Sequence, residues 1–265
     1  MTKYAAIVGN PVTHSASPQM HNAAYQELKI DWQYLRQEVV AGGLANFINL
    51  NRNNFQGLSV TMPLKEEAIL VADSVTPLAN ILNSANTLLI SSNEIVAGNT
   101  DVIGIRDAIW QNTKKKFKSA TIIGTGATAR SALAAVKALR INEISIVGRS
   151  PEGLIEIGNL AQRIGVQVNT YRWNELVKTM DTELVISTVP KDVMDEYALL
   201  IPFNPKVLLD ASYHPWPSPL AREWLLRSGR VVSGLEMLLY QGVKQFEIFT
   251  KRKAPIKVMR AALNN

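Results

Sequence analysis

The chain has 265 residues, with 28 Lys and Arg against 22 Asp and Glu, a formal charge of +6, three His and no Cys. That length suits one large α/β unit or two domains with a self-sufficient core. The missing Cys excludes a disulfide framework, a thiolate nucleophile and any Cys-held zinc or iron–sulfur centre, and a content of 47% apolar and 19% charged residues excludes a disordered chain.

The short apolar run that stops at Gly9-Asn10-Pro11 reads as a first strand rather than a secretory signal. No stretch of 18 apolar residues predicts a membrane span, so a soluble, cytoplasmic protein is expected. Strand and helix patterns then alternate, which predicts an α/β protein with mainly parallel sheets. Residues 4–9 read as a strand, 17–28 as a helix, 32–39 as a strand, 43–52 as a helix, 57–62 as a strand and 65–72 as a helix. A short strand pair follows at 85–90 and 94–98, then a helix over 101–112. The polar stretch 114–119 precedes a new strand, which puts a domain break near 102–118. Its Lys114, Lys115, Lys116 and Lys118 surround one aromatic, Phe117, and read as a solvated helix end rather than a nucleic-acid patch.

The second half predicts a Rossmann-type doubly wound sheet. Strand 120–124 leads to helix 127–139, strand 143–148 and helix 153–165, whose Leu154, Ile155, Ile157, Leu160, Ala161 and Ile164 mark one face. Strands are expected within 166–171, 183–188, 206–212 and 230–234. From Leu235 the tail is helical, and Leu235, Leu239, Val243, Phe246 and Phe249 form a stripe for core packing.

Gly124-Thr125-Gly126-Ala127-Thr128-Ala129 fits G-x-G-x-x-A at the end of a predicted strand and the start of an Ala-rich helix. Gly124 permits the tight turn, Gly126 lets a pyrophosphate approach the backbone, and Ala129 lets helix and strand pack closely. At the end of the next strand, the slot that holds an acid in NAD enzymes holds Gly148, followed by Arg149 and Ser150. A guanidinium in place of a carboxylate favours NADP.

Polar clusters stand where strands end, the positions that face the ligand crevice of open α/β sheets. They run His14 to Asn22 (matching HSxSPxxHN), Ser59 to Lys65 (matching NVTxPxK except at its first position), Asn99 to Gly104 (NTDxxG), Asp210 to Pro215 (DxxYxP) and Gly234 to Gln241 (GxxMLxxQ). In this order the chain resembles the shikimate dehydrogenase family over nearly its whole length. The resemblance implies NADPH-dependent reduction of 3-dehydroshikimate to shikimate. It implies a substrate-binding domain over 1–101, an NADP-binding domain over 102–234 and C-terminal helices over 235–265 that pack back on the first domain, with a groove that closes around its ligands. It assigns Ser15 and Ser17 to the substrate carboxylate, Thr61, Asn86 and Gln241 to ring hydroxyls, Tyr213 to the pocket wall, and Lys65 with Asp101 to the chemistry. Gly124, Thr125, Gly126, Ala127, Thr128, Ala129, Arg149, Ser150, Gly234 and Met237 fall to the cofactor. No metal, membrane or nucleic-acid partner is implied, and monomer and homodimer both stay open.

The residues also admit plainer readings. Ser17 before Pro18 suits a helix N-cap, Lys65 reads as a generic surface Lys at the start of a helix, and Asp101 suits a cap for a helix from Val102. A Lys ammonium beside a carboxylate makes a proton donor for a carbonyl receiving hydride, and either Lys65 alone or the pair can carry that proton. The chain departs from the family at Ser59, usually Asn; at Thr125 and Thr128 in a loop usually built of Ala and Gly; at Gly148-Arg149-Ser150 in place of Asn-Arg-Thr, with no second basic residue nearby; and at Lys191-Asp192 where many relatives have Gly-Met. An NAD-dependent quinate/shikimate dehydrogenase and a non-catalytic dinucleotide-binding regulator are the alternatives.

Overall fold

A computed structural model describes residues 2–264. The chain divides into two compact units, Met1–Gly104 with Leu238–Asn265, and Ile105–Met237. In chain order the elements are β1 (Lys3–Gly9), α1 (Ser17–Glu27), β2 (Trp32–Glu38), α2 (Leu44–Asn51), β3 (Phe55–Val60), α3 (Glu67–Leu70), β4 (Ser74–Val75), α4 (Pro77–Leu82), β5 (Thr87–Ile90), β6 (Ile95–Gly98) and α5 (Asp101–Thr113). They continue as β7 (Ser119–Ile123), α6 (Ala127–Ala138), β8 (Glu143–Gly148), α7 (Pro151–Arg163), β9 (Asn169–Arg172), α8 (Leu176–Thr179), β10 (Leu184–Ser187), β11 (Val207–Asp210), α9 (Pro219–Leu226), β12 (Arg230–Ser233), α10 (Gly234–Thr250) and α11 (Ile256–Leu263).

The first unit holds a six-stranded sheet of order β2-β1-β3-β5-β6-β4. β1 lies parallel to β2 and β3, and β4 parallel to β6, while β5 runs antiparallel to both its neighbours. The continuous apolar run of β1 feeds two cores, because successive side chains point to opposite faces. Ala6 and Val8 join Leu44, Ile48, Leu58 and Ala68 on one side. Ala5 and Ile7 join Met20 and Tyr25 of α1 and Leu239, Phe246 and Phe249 of α10 on the other. The expected stripe of the tail is thus core, apart from half-buried Leu235 and Val243.

The second unit holds an all-parallel sheet of order β12-β11-β10-β7-β8-β9. Counted within the unit this is 3-2-1-4-5-6 read from β9, the doubly wound dinucleotide-binding order. Its switch point falls between β7 and β10, beyond Ile123 and Ser187, the place where open α/β sheets of this order bind their ligands. Lys114, Lys115, Lys116 and Lys118 are exposed around buried Phe117, as a solvated connection requires.

Four local readings need correction. Ile155, one residue past Leu154, falls off the face that Ile157, Leu160 and Ala161 bury and is exposed. The helix expected from Lys65 begins at Glu67 and is one turn long, because the Lys65 carbonyl accepts the N–H of Ala85 (2.8 Å) and the Glu67 carboxylate caps α2 by accepting from Leu44 N (2.7 Å). Ser17 is the first helical residue, not the N-cap; Ala16 is. Asp101 opens α5 without capping it, since Asn99 Oδ1 accepts the N–H of Val102 (3.3 Å). Elements missing from the sequence reading are β4, α4, α8 and α9. The Thr76-Pro77 and Ser218-Pro219 starts of α4 and α9 are visible in sequence, whereas the two residues of β4 are a strand only through pairing with β6.

Candidate active site

In the first unit the loops after β3 and β6 bring a cation and an anion together. Lys65 Nζ lies 2.6 Å from Asp101 Oδ2, and the two side chains are only 13% and 5% exposed. Asn86 Nδ2 donates to the other carboxylate oxygen, Oδ1, at 2.7 Å. The Asn86 amide cannot flip, because its Oδ1 accepts from Thr100 N (2.7 Å) and Thr87 Oγ1 (2.9 Å). Gln241, from α10, turns its Oε1 towards Asn86 Nδ2 (3.2 Å) and gives its Nε2 to Leu238 O (3.1 Å). Lys65, Asn86, Asp101 and Gln241 therefore form one constellation within a single unit, with Thr100 supporting it. A carboxylate this enclosed fixes the direction in which the Lys65 side chain points.

Ser15 and Ser17 lie at the start of α1, both buried. Ser15 Oγ accepts the Ser17 N–H (3.3 Å), and Arg36 clamps the Ser15 carbonyl with Nη2 (2.6 Å) and Nε (3.1 Å). Ser17 Oγ is buried without a hydrogen-bond partner. A native hydroxyl so placed is costly unless something outside the chain completes it. Thr61 is half-buried in the turn after β3, its backbone N–H bonded to Val8 O (2.9 Å). Gly9 has no room for a side chain: an added Cβ would stand 2.4 Å from the Thr61 methyl.

Three supporting residues escaped the sequence reading. Tyr34 Oη donates to Ser59 Oγ (2.5 Å), Ser59 Oγ to Gln245 Oε1 (2.7 Å), and Gln245 Nε2 to Asn86 O (2.8 Å) and Thr87 Oγ1 (3.0 Å). Ser59, the departure from the family pattern, is thus part of a buried brace behind Asn86. Gln245 stands one turn beyond Gln241, the signal that could have found it; Arg36 and Tyr34, mid-strand, offered none. His21 stacks on Tyr34 (centroids 4.3 Å apart), with both ring nitrogens unpartnered, and burial lowers its pKa to about 3. Exposed His14 and His214 lie elsewhere on the surface.

The second unit carries the glycine loop at the switch point. Gly124 has φ +113°, and a Cβ there would lie 2.5 Å from Thr188 Oγ1. Gly126 differs: a Cβ would meet nothing within 4 Å, and no side chain caps α6 behind it. The fold does not require glycine there, whereas an anion approaching the N–H groups at the helix start does. Ala127 and Thr128 are half-buried and Ala129 is fully buried. These residues fit a dinucleotide pyrophosphate. Arg149 is exposed, its guanidinium 5.8 Å over the ring of Trp173. Ser150 caps α7, accepting from Gly153 N (3.1 Å) and giving its own proton to Glu152 (2.7 Å), which holds that carboxyl below the usual range.

Gly234 is packed against the loop after β11, since a Cβ would approach Ala211 O to 2.5 Å. Met237 is buried, and Tyr213 half-buried, in the same unit. Asp210 is raised above the usual carboxylate range by burial, against hydrogen bonds from Ser218 and the Ser212 N–H. Among the described residues no group of three or more His, Cys, Asp or Glu is placed to hold a metal ion, and no helix is long and apolar enough to cross a membrane.

A doubly wound sheet with an open glycine loop in one unit and a buried Lys–Asp pair in the other define an oxidoreductase of the dinucleotide-dependent α/β class. The family profile described as shikimate dehydrogenase substrate binding domain matches residues 7–88, and that described as shikimate 5'-dehydrogenase C-terminal domain matches 234–263. A curated protein of Prochlorococcus marinus named shikimate dehydrogenase (NADP(+)) is 33% identical, over all of this chain and 98% of that protein. The crystal structure of Mycobacterium tuberculosis shikimate dehydrogenase is 36% identical with a TM-score of 0.91, covering 99% of both chains. That of Thermus thermophilus shikimate 5-dehydrogenase in complex with NADP(H) and shikimate is 25% identical with a TM-score of 0.87, covering 99% of this chain and 98% of that one. This chain belongs to the shikimate dehydrogenase family.

Proposed function

We propose that this chain catalyses the reversible, NADPH-dependent reduction of 3-dehydroshikimate to shikimate in aromatic biosynthesis. The observation that carries the reading is the enclosed Lys65–Asp101 pair at 2.6 Å, braced by Asn86. Ser15, Ser17 and the N-terminus of α1 take the substrate carboxylate, supported by the unpartnered Ser17 hydroxyl. Thr61, Asn86 and Gln241 take ring hydroxyls, and Tyr213 lines the pocket.

Gly124 to Ala129 hold the cofactor pyrophosphate, Arg149 with Ser150 its adenosine end, and Gly234 with Met237 its nicotinamide side. When bound, NADPH supplies the hydride that reduces the carbonyl carbon. As negative charge grows on the carbonyl oxygen, the Lys65 ammonium stabilises it and donates a proton from Nζ. Asp101 keeps that ammonium pointed, and Asn86 keeps the second carboxylate oxygen occupied so that Oδ2 stays on Lys65. In the oxidation direction, Lys65 Nζ takes the hydroxyl proton back. A biosynthetic reaction drawing on the NADP(H) pool supports a cytoplasmic enzyme. The test is an assay at the nicotinamide absorbance band with shikimate and quinate, each with NADP and NAD. Shikimate with NADP is the pair with the highest kcat/KM; preference for quinate or for NAD overturns the assignment.

A further inference from the structure

Position 148 has no room for a side chain. A Cβ on Gly148 would stand 2.6 Å from the Thr125 methyl and 3.0 Å from Leu154 Cδ2. Thr125 also crowds Gly153, where a Cβ would lie 2.4 Å from its hydroxyl. Thr125 therefore fills the slot at the end of β8 from which an acid would read a ribose 2′-hydroxyl. The next residue, Arg149, is the cation nearest that slot in sequence, and a long exposed side chain loses much of its freedom when it grips an anion.

The neighbouring strand supplies an order for it. β8 and β9 run parallel with Gly148 opposite Arg172, so Arg149 and Trp173 each stand one residue beyond the paired ends. The Arg149 guanidinium lies 5.8 Å over the Trp173 ring. Trp173 is itself fixed, packed against the core of the second unit and edge-on to Tyr197 at 5.6 Å. Guanidinium stacking on an indole leaves the N–H fork free for a phosphate. Glu152, the nearest acid in sequence, has its carboxylate tied to the Ser150 hydroxyl instead.

We propose that Trp173 is a specificity-determining positioning residue: it holds the Arg149 guanidinium ready for the cofactor's 2′-phosphate. This shelf makes up for the basic residue missing from the few positions after Arg149. The inference rests on the proposed NADP dependence, and the experiment separates the two.

Adenosine 2′,5′-bisphosphate and adenosine 5′-monophosphate are titrated calorimetrically into the full chain and its variants. The wild type binds the bisphosphate more tightly. Arg149→Ala weakens the bisphosphate by roughly tenfold or more and leaves the monophosphate unchanged. Trp173→Ala weakens the bisphosphate about three- to fivefold with the monophosphate again unchanged, which also reports an intact site. Trp173→Phe restores most of that loss, and the double variant is no weaker than Arg149→Ala alone. If Arg149→Ala loses the discrimination while Trp173→Ala and Trp173→Phe both keep it in full, or if Trp173→Ala weakens both nucleotides equally, the role of Trp173 is wrong. If the wild type does not discriminate at all, the 2′-phosphate reading of Arg149 fails, and this inference with it.

Discussion

Lys65 Nζ sits 2.6 Å from Asp101 Oδ2, and Asp101 is available to it because Asn99 takes over the capping of α5. A residue at a helix start is usually spent on that start; here the neighbour two positions earlier does the work, and the carboxylate turns to the ammonium and to Asn86.

Removal of the ammonium therefore strikes the chemical step. Lys65→Ala lowers kcat by about 10²- to 10⁴-fold while shikimate KM changes far less. Steady-state kinetics in the oxidation direction check this split; a variant with an unchanged kcat and a much raised KM assigns Lys65 to binding instead.

Ser17→Ala removes a buried hydroxyl that has no partner in the protein. Its loss leaves the melting temperature unchanged or slightly raised, since no internal hydrogen bond is broken. Shikimate KM rises by roughly tenfold or more, the value of a hydrogen bond to a charged group. A fall in melting temperature with an unchanged KM makes Ser17 structural.

The two glycines of the cofactor loop respond in opposite ways. Gly124→Ala forces a side chain into φ +113° and against Thr188, and costs about 1–3 kcal/mol of stability. Gly126→Ala meets open space, so its melting temperature stays at the wild-type value while NADP binding weakens. Thermal denaturation with and without NADP distinguishes them: the ligand-induced rise in melting temperature shrinks for Gly126→Ala.

Much of this was legible in the sequence. The order of strands and helices, the glycine loop and the polar clusters at strand ends follow from local pattern, because each is written within ten or so consecutive residues. Lys65 and Asp101 were nameable as a pair only through the family resemblance, since nothing local shows that loops 36 residues apart converge. Tyr34, Ser59 and Gln245 form their brace across separations of 25 and 186 residues, beyond any periodicity. Capping was the least legible feature: Asn99 rather than Asp101 accepts the Val102 N–H, and Ser15 Oγ accepts that of Ser17, choices between near neighbours that residue type alone does not make.

His21 gives the fold an acid-side liability. Burial depresses its pKa from 6.5 to about 3, so the unfolded chain holds a proton between those values that the folded chain does not. Stability therefore falls as pH drops below 6.5, by about 1.4 kcal/mol per unit from this group. Urea denaturation at pH 7, 6 and 5 measures it: the difference in stability between wild type and His21→Phe shifts steadily towards the variant as pH falls. A pH-independent difference places the ring in contact with water or a partner.

The central claim is that an enclosed ammonium–carboxylate pair drives NADP-linked oxidation of shikimate. Its most direct test is the rate of NADPH formation, at the nicotinamide absorbance band, from shikimate and NADP by the wild type and by Lys65→Ala side by side. The account predicts sustained turnover by the wild type and a loss of orders of magnitude in the variant. Turnover that survives in Lys65→Ala, or a wild type that reduces NAD in preference to NADP, contradicts it.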